Sequence, residues 1–593
     1  MTTLKIQPDR LGQLGEILAA LGEHYSILSG EVAVTLEPGA PSGTMEVFRT
    51  GNHATIRYDG PAQACRGIGA LLAGIEQCHE QTTFTTLGIM LDCSRNAVMT
   101  VGHFKGWLRQ LALLGFNMAM LYTEDTYELP GEAHFGYLRG RYSAAELQEI
   151  DQYASRLGIE MIGCIQTLGH LERVLHWSHY RAVKDTPSVL MVGEEATYAL
   201  IEKMIARFAE TYRSRRIHIG MDETHDLGRG RFMDLHGFER GYDLFDRHLE
   251  RVSAICAKHG LQPMLWSDMY FRMGSPTQEY GPACRVPEEV KCQIPPTTQL
   301  VYWDYYHTEQ SYYAEMIRKH RELGVEPLMA SGVWTWQCLW YQRENTEANV
   351  PPCVAACREL GVKELFFTMW GDDGAYCEFD SALAGLAFSA DQAYGGAFAS
   401  ARFNAICGAD YDAVLAAAEL NAPPSPVLLL WDDPLLRVAW TNEELKKPGI
   451  WNEAAQRYAR IARRLRPHRG VTEPVDMAHA LALVAFLRKK LEINAQLDAG
   501  AFFEIKIKPV VRALDQLHAS FRRQWYRRNK PHGFETIQIR LGGQRQRYGE
   551  LGARLEALRA GNIDAIPELN ERPATALAWM PDSWRELAAT AVL

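Results

Sequence analysis

The chain lacks the features that would place it in a membrane or send it across one. None of its apolar runs approaches the roughly 20 residues that a membrane-spanning helix needs. Its N-terminus contains no apolar core of the kind found in a secretory signal peptide. We therefore expect a cytoplasmic protein without a membrane span.

Paired cysteines and excess positive charge are also missing. The 12 cysteines are scattered and include no Cys-x-x-Cys pair. Several, such as Cys164 and Cys256, lie in apolar runs, where a free thiol packs as a small hydrophobe in a reduced protein. The net charge of −10 argues against nucleic acid or an anionic membrane as the main partner.

The chain is rich in short apolar runs that alternate with longer amphipathic ones between about residues 87 and 395. The eight strand candidates are residues 87–92, 117–123, 160–166, 217–222, 263–268, 300–305, 326–331 and 364–370. Eight strands that alternate with helices predict an α/β fold of the (β/α)₈ TIM barrel type. A doubly wound open sheet is the alternative. It is disfavoured because no glycine-rich dinucleotide turn follows the first strand.

The C-terminal ends of barrel strands carry the active-site residues in this fold. Each predicted strand brings a carboxylate, an amide or a tryptophan there: Asp92 with Arg95, Glu124 with Asp125, Gln166 with His170, Asp222 with Glu223, Trp266 with Asp268, Trp303 with Tyr305 and Tyr306, Trp334 with Trp336, and Trp370 with Asp372 and Asp373. Tryptophan faces stack on sugar rings, while carboxylates and arginines bind hydroxyls. The set predicts a sugar-binding cleft rather than a phosphate site, where arginines and backbone amides should dominate.

The stretch 218–223 is the most informative part of the chain. It is a short apolar run that ends in the adjacent carboxylates Asp222 and Glu223. Where a strand gives way to its loop, both can turn into one cleft. Crowded carboxylates repel each other, so one tends to hold a proton near neutral pH, as a general acid must. No metal site with His218 and His225 is expected, because the helical His-Glu-x-x-His spacing is absent.

Four of these strand-end motifs follow the order of a known enzyme family. They are Asp92 with Arg95, Glu124 with Asp125, Gln166 through Gly169 and His170, and His218 with Gly220, Asp222 and Glu223. Together they resemble family 20 of the glycoside hydrolases, the β-N-acetylhexosaminidases. Met221 stands where that family has a second glycine. The resemblance is closest to bacterial exo-β-N-acetylglucosaminidases with a helical C-terminal domain, a branch that residues 525–535 support.

The resemblance implies an exo-acting retaining β-N-acetylhexosaminidase that removes terminal β-linked GlcNAc, with GalNAc as a second candidate. Such an enzyme needs no cofactor. The substrate's own acetamido carbonyl attacks the anomeric carbon and forms an oxazolinium ion. A double-displacement retaining β-glycosidase and a catalytically inactive carbohydrate-binding protein are the alternatives. The presence of both Asp222 and Glu223 argues against the inactive protein.

Catalytic roles are also implied by the resemblance. Glu223 would protonate the glycosidic oxygen and then act as base on water. Asp222 would hold the acetamido nitrogen and stabilise the oxazolinium charge. His170, oriented by Asp125, would contact Glu223 and tune its proton affinity, since a hydrogen-bonded histidine keeps a defined tautomer.

Substrate contacts follow in the same way. Arg95 would bind the 3- and 4-hydroxyls of the sugar, and Asp372 would bind the 4- or 6-hydroxyl, although the family usually has glutamate there. Tyr305 is favoured over Tyr306 as the donor to the acetamido oxygen. The tryptophans expected at the sugar are Trp266, Trp303, Trp334 and Trp370.

The regions outside the barrel predict two further domains. Residues 1–85 resemble a small α+β domain, with strands at 31–35, 44–50 and 54–58 and a helix at 62–78. The barrel would occupy residues 86–395. Residues 396–593 predict an α-helical C-terminal domain, with long amphipathic helices at 452–465, 475–494 and 509–527.

The C-terminal region offers more amphipathic helix than the barrel needs for cover. We therefore expect part of it to form a homodimer interface. The basic run 522–530 is interpreted as a solvated helix face rather than as a site for an acidic ligand.

Overall fold

The structure of the protein is a computed structural model. It describes residues 2–7, 12–275, 277–372, 374–441, 445, 447–470 and 474–571. The chain divides into two compact units. The first comprises Met1–Trp334, Glu344–Trp370 and Gly385–Cys407, and the second comprises Thr335–Arg343, Gly371–Ala384 and Gly408–Leu593.

The first unit opens with a five-stranded sheet. Its strands are β1 (Leu4–Lys5), β2 (Val32–Pro38), β3 (Thr44–Thr50), β4 (His53–Tyr58) and β5 (Gln77–Gln81). They lie in the order β1-β2-β4-β3-β5, and β3 runs antiparallel to both of its neighbours. The helix expected at 62–78 is shorter than predicted and spans Pro61–Leu72, so that β5 begins inside the predicted range. A second helix, Gln13–Gly22, precedes β2.

Eight parallel strands then close into a barrel, as the sequence predicts. They are β6 (Thr86–Asp92), β7 (Met118–Tyr122), β8 (Glu160–Cys164), β9 (Arg216–His218), β10 (Gln262–Trp266), β11 (Gln299–Trp303), β12 (Leu328–Gly332) and β13 (Glu364–Met369). Pairing of β13 with β6, from Glu364 against Thr86 to Met369 against Leu91, closes the ring. All eight strands therefore present their C-terminal ends at one rim.

Helices follow the strands of the barrel. The longer ones span Val101–Leu114, Ala144–Arg156, Glu195–Thr211, Gly241–Lys258, Gln310–Glu322, Arg343–Leu360, Ala382–Tyr394 and Ala399–Cys407. Short helices span Glu172–Leu175, Arg231–His236, Asp268–Arg272 and Glu288–Lys291. Local sequence sets their ends: Ser143 and Glu146 form a capping box, and Gly115 ends its helix with a left-handed φ of 94°.

Alternating side chains of the barrel strands fill the interior with a packed core. Its buried members are Met90, Met118, Met120, Tyr122, Ile162, Cys164, Met264, Trp266, Val301, Leu328, Ala330 and Phe366. The partly buried Trp303 and Trp370 pack against this core. The barrel interior is thus a solid apolar plug with aromatic rings near the rim.

A cluster of four buried charges ties the N-terminal sheet to helices that follow the barrel strands. Arg66 donates to Glu80 at 2.5 Å and to Asp391 at 2.6 Å, and Arg402 binds the same two carboxylates. Both arginines are 0% exposed. Removing one member would leave an uncompensated buried charge, so the four groups stabilise the fold only as a set.

The second unit is largely helical, in agreement with the sequence. Its helices include Tyr411–Ala418, Pro426–Trp431, Val438–Thr441, Ile450–Arg464, Met477–Asp498, Ile507–Arg528 and Phe534–Arg559. Across the described residues, no helix combines the length and the apolar character that a bilayer crossing requires.

The interpretation of the basic run 522–530 as a solvated face is wrong in part. Arg528 is 4% exposed and binds Glu378 at 2.5 Å. Arg527 binds Asp380 at 3.2 Å, and Arg523 binds Asp476. These carboxylates come from segments distant in sequence, so helical periodicity alone does not reveal the pairing.

Candidate active site

The chain leaves the barrel through a sharp turn after β9. Gly220, Met221 and Glu223 all have positive φ, at 73°, 72° and 49°. A Cβ at position 220 would lie 2.1 Å from Oε1 of Gln166, so glycine is required there. The same Oε1 accepts a hydrogen bond from the Met221 amide at 3.1 Å. This turn places Asp222 and Glu223 at the rim of the barrel. Strained backbone of this kind is frequent at functional sites.

The Asp222 carboxylate is buried and held by two donors. Oδ1 accepts from Nε2 of Gln166 at 2.7 Å, and Oδ2 lies 3.2 Å from Nε2 of His170. Burial alone would raise the pKa of Asp222, but His170 and Gln166 outweigh it and lower the pKa to about 2. Asp222 is therefore an anion at neutral pH.

Glu223 points away from this enclosed position. Its side chain is 41% exposed. Oε2 lies 3.7 Å from Nε2 of His170, and Oε1 lies 3.7 Å from Nη2 of Arg272. Its backbone amide donates to Asp268 at 3.2 Å. The two adjacent carboxyl groups thus occupy different environments, one buried and fixed, the other open to solvent and ligand.

His170 joins the two carboxylates. Burial would lower its pKa, but the attraction of Asp222 dominates and raises the pKa to about 10. Ligand atoms of His170, Asp222 and Glu223 lie within 4.8 Å of one another, a grouping that metals sometimes use. We interpret the grouping as an acid–base cluster, because His170 and Asp222 already form an ion pair at 3.2 Å.

Asp125 does not orient His170, contrary to the expectation from sequence. Both of its carboxylate oxygens accept from Nε of Arg139 at 3.2 Å. The same arginine donates to Asn96 and to the backbone carbonyl of Ser94. Asp125 therefore holds Arg139, which in turn ties the loop after β7 to the loop after β6. The carboxylate that holds His170 is Asp222, and the attraction of Glu124 further raises the histidine's pKa.

Arg95 lies over the aromatic end of the barrel core. Nη1 donates to Asp92 at 3.2 Å, and Nη2 lies 3.5 Å from Glu124. Its guanidinium sits 5.1 Å from the Tyr122 ring centroid and 5.2 Å from that of Trp370. These contacts fix the guanidinium at the rim, where its side chain remains 21% exposed.

A chain of hydrogen bonds links the second, third and fourth barrel strands. Gln166 donates to the Tyr122 hydroxyl at 2.9 Å, and that hydroxyl donates to Glu124 at 3.2 Å. Burial raises the pKa of Glu124 to about 7, despite the opposing charges of Arg95 and His170. Gln166 thus couples Asp222 to a carboxyl that titrates near neutrality.

Aromatic residues follow the rim from strand to strand. Trp370 lies edge-on to Tyr122 at 4.8 Å, and Trp303 stacks on Tyr305 at 5.4 Å. Tyr305 is 4% exposed, whereas Tyr306 is 61% exposed and lies 5.5 Å from Trp334.

Trp266, which the sequence predicts at the sugar, is buried in the barrel core. Trp266 is 1% exposed and packs on His218 at 4.4 Å within the core. His218 is buried, and burial lowers its pKa to about 3, so it is a neutral structural residue. Asp372 belongs to the second unit, and its contact with a sugar stays a prediction. Asp373 lies outside the described residues.

Two residues beside Glu223 had no assigned role from the sequence. Asp268 is buried, and burial together with Asp222 raises its pKa to about 7. It accepts from Nε of Arg272 at 3.1 Å, one helical turn further on. The position of Asp268 just after β10 predicts that it lies at the rim, but no feature of the sequence predicts a role for Arg272.

The geometry supports different chemical roles for the carboxyl groups of Asp222 and Glu223. An enclosed anion can stabilise positive charge that develops next to it. An accessible carboxyl group between a cation and open space can exchange a proton with a ligand. The aromatic faces and the fixed guanidinium nearby suit a sugar ring.

Comparison with known proteins gives two family matches. Residues 84–318 match the model of the glycosyl hydrolase family 20 catalytic domain. Residues 410–581 match the model of the glycoside hydrolase 20C C-terminal domain. The two matches fall on the barrel region and on the helical C-terminal region.

Curated relatives match over part of their length. The chain is 29% identical to Hexosaminidase D of Bos taurus over 243 residues, which cover 38% of this chain and 62% of the relative. It is 27% identical to Hexosaminidase D of Homo sapiens over 235 residues, which cover 37% of this chain and 45% of the relative. The match thus spans less than two thirds of either protein.

Solved structures resemble the chain at low sequence identity. The β-N-acetylhexosaminidase from Bacteroides fragilis NCTC 9343 has a TM-score of 0.50 and 13% identity, covering 66% of this chain and 87% of that one. The GH20 β-N-acetylhexosaminidase from Streptomyces coelicolor A3(2) has a TM-score of 0.49 and 16% identity, covering 69% and 92%.

Proposed function

We infer the activity of this chain from its membership of glycoside hydrolase family 20, whose catalytic domain it carries. We propose that it is an exo-acting retaining β-N-acetylhexosaminidase. Its substrates would be glycans or glycoconjugates with a terminal β-linked GlcNAc, with GalNAc as a second candidate.

The observation that carries this proposal is the different state of Asp222 and Glu223. Asp222 is buried, anionic and bound by Gln166 and His170, whereas the Glu223 side chain is open. In a double-displacement mechanism, the second carboxylate must attack the sugar. A carboxylate occupied by two donors is better suited to hold a polar group of the substrate and to stabilise its charge.

The first step would form a cyclic intermediate. Glu223 gives its proton to the glycosidic oxygen while the bond from that oxygen to the anomeric carbon breaks. The acetamido carbonyl oxygen of the substrate bonds to the same carbon from the opposite face. Asp222 accepts a hydrogen bond from the acetamido N–H and stabilises the positive oxazolinium.

The second step would reverse the roles. The Glu223 carboxylate takes a proton from water as the water oxygen bonds to the anomeric carbon. The bond to the acetamido oxygen breaks, and the sugar leaves with its original configuration. His170 supports both steps because its charge holds Asp222 anionic and lies 3.7 Å from Glu223.

Sugar recognition would use the fixed groups at the rim. Arg95 would bind the 3- and 4-hydroxyls of the sugar. Tyr305 is the proposed donor to the acetamido oxygen, because it is buried against Trp303 while Tyr306 faces solvent. The proposed aromatic contacts are Trp303, Trp334 and Trp370. Trp266 would support them from the core.

Location and assembly are further proposals. The 12 cysteines form no disulfide with one another, and 11 of them are buried. Such buried thiols fit a reducing cytoplasm. We also propose a homodimer through the C-terminal helical region, where Ile539, on the helix Phe534–Arg559, and Phe503, in the turn before Ile507–Arg528, are 71% and 69% exposed.

A panel of chromogenic glycosides tests the proposed activity. We expect turnover of 4-nitrophenyl N-acetyl-β-glucosaminide and little or none of the matching β-glucoside, which lacks the acetamido group. Faster turnover of the glucoside would favour the double-displacement alternative.

A further inference from the structure

A pocket of about 340 Å³ opens beside Glu223 in the first unit. Two loops build it: the loop after β9 and the loop after β10. The first contributes Thr224, His225 and Arg229, and the second contributes Arg272. The pocket therefore lies at the catalytic rim of the barrel, next to the proposed general acid.

The position of the pocket indicates which part of the substrate it would hold. Thr224 and His225 directly follow Glu223 in the chain, and Arg272 lies 3.7 Å from the Glu223 carboxyl. The proton of a general acid goes to the oxygen between the sugar and the leaving group. A pocket lined by the two residues that follow Glu223 and by an arginine 3.7 Å from its carboxyl is therefore placed to receive the leaving group.

The pocket is lined by three arginines and by no carboxylate among the described residues. Two of the three form ion pairs with carboxylates that do not line the pocket. Arg240 binds Asp243 at 2.9 Å and Glu289 at 3.3 Å. Arg272 binds Asp268 at 3.1 Å.

Arg229 is the arginine whose charge is not neutralised by a carboxylate within the described part of the chain. Its Nη1 contacts the backbone carbonyls of Gly228 at 3.3 Å and Glu239 at 3.4 Å, and its guanidinium lies 4.7 Å from the Phe238 ring. Arg229 itself is exposed. Its charge is thus oriented but available to a ligand.

The loop that carries Arg229 is held in place. Both oxygens of the Asp185 carboxylate accept backbone hydrogen bonds from it, from Gly228 at 2.9 Å and from Phe232 at 2.7 Å. A Cβ at Gly230 would meet the Asp185 carbonyl at 2.4 Å, so the loop packs closely there. A preorganised loop loses less entropy when it binds a ligand.

We propose that this pocket is the leaving-group site and that Arg229 recognises an anionic group on it, such as a carboxylate or a sulfate. The inference rests on the proposed glycosidase activity and extends it to the class of leaving group. A chain with a net charge of −10 would repel such substrates without a local cation. Arg229 offsets that repulsion beside the scissile bond.

Two matched substrates test the proposal. They are the 4-carboxyphenyl and 4-carbamoylphenyl N-acetyl-β-glucosaminides, which differ in charge but little in shape. The ratio of their kcat/KM values is compared between the wild type and Arg229→Gln, so that the intrinsic reactivity of the leaving groups cancels. We expect the substitution to lower the carboxylate preference about three- to tenfold, the worth of a charged hydrogen bond at a partly exposed site.

The effect should appear mainly in KM, because the contact is made equally in the ground state and the transition state. It should weaken as salt is added. Arg229→Lys should keep part of the preference. The matched control is Arg231→Gln on the same loop, whose guanidinium binds the Arg181 and Ala182 carbonyls outside the pocket. This control should leave the ratio unchanged.

A 4-sulfophenyl glycoside separates the two sources of negative charge. A preference for it over the carboxylate, lost in Arg229→Gln, indicates a site for sulfated leaving groups; the reverse order indicates sugar acids. An unchanged ratio in Arg229→Gln overturns the inference while the neutral glycoside still reports the proposed activity. If the wild type cleaves neither glycoside, the proposed function fails, and the inference fails with it.

Discussion

Nε2 of His170 lies 3.2 Å from Oδ2 of Asp222, and the two groups form a largely buried ion pair at the barrel rim. Each partner shifts the other, because the pKa of His170 rises to about 10 and that of Asp222 falls to about 2. The pair therefore stays charged across the physiological pH range. It supplies a fixed anion beside Glu223, which is the basis of the proposed mechanism.

This pair should make stability depend on pH. The pKa of His170 is about 10 when folded, against about 6.5 in an unfolded chain. Between these two pKa values the native state holds a proton on His170 that the unfolded state lacks. The stabilisation that the ion pair contributes is therefore full below about pH 6.5 and is lost as the pH rises toward 10. His170→Gln removes this titration. We expect the difference in free energy of unfolding between wild type and variant, measured by urea denaturation, to shrink from about pH 6 to pH 10.

Asp222→Asn is the matched control for that measurement. It keeps the histidine but removes the charge that raises its pKa, so its unfolding free energy should also depend less on pH than that of the wild type. A difference between His170→Gln and the wild type that stays constant from about pH 6 to pH 10 would show that the histidine is not held protonated.

Glu223→Gln should remove the proton donor. We expect turnover of a disaccharide, whose leaving group needs protonation, to fall by about 10²–10⁴-fold. Aryl glycosides with activated leaving groups should lose less, since they depart without a proton. Steady-state kinetics on both substrates measures the two losses. Equal activity of the variant and the wild type on the disaccharide would exclude Glu223 as the acid.

The barrel could be predicted from sequence because its signal is local. Apolar runs of strand length, broken by helices, identify all eight strands, and seven lie within about three residues of their predicted ends. The exception is β9, expected to end at residue 222, which ends at His218. Positive φ angles at Gly220 and Met221 break the extended backbone there, and an apolar run does not reveal them.

Features that depend on distant partners could not be predicted. The sequence of β5 is polar and does not predict a strand with a buried side. Its buried Glu80 binds Arg66 and Arg402, which lie 14 and 322 residues away in the chain. The partner of Asp125 proved to be Arg139, in a loop with no periodic pattern. In each case the side chain type was visible in the sequence, whereas its partner was set by the fold.

Asp222→Asn tests the role of the buried anion. The variant loses the charge that would stabilise the oxazolinium, so kcat should fall by about 10²–10³-fold, as in other deletions of electrostatic groups at reacting centres. KM should change far less, because the interaction strengthens only as positive charge develops. A thiazoline mimic of the cyclic intermediate should inhibit the wild type strongly and the variant weakly. Near-normal kcat in the variant would contradict this role.

Assembly can be checked directly. The exposed apolar residues of the C-terminal helical region lead us to expect a dimer, with an interface of roughly 2,000 Å² or more, typical of obligate pairs. Light scattering at micromolar concentration should then give twice the chain mass of 66.9 kDa. A monomer at that concentration would rule out the dimer.

The most direct test of the central claim is whether the acetamido group of the substrate is the nucleophile. We would measure kcat for 4-nitrophenyl glucosaminides whose N-acetyl group carries zero to three fluorines, and treat the enzyme with an activated 2-fluoro glycoside before mass spectrometry of the intact protein. We expect kcat to fall with each fluorine, because fluorine withdraws electrons from the attacking carbonyl oxygen, and no stable sugar adduct to form. Rates that do not respond to fluorine, together with a glycosyl adduct on a carboxylate, would show that the enzyme supplies its own nucleophile.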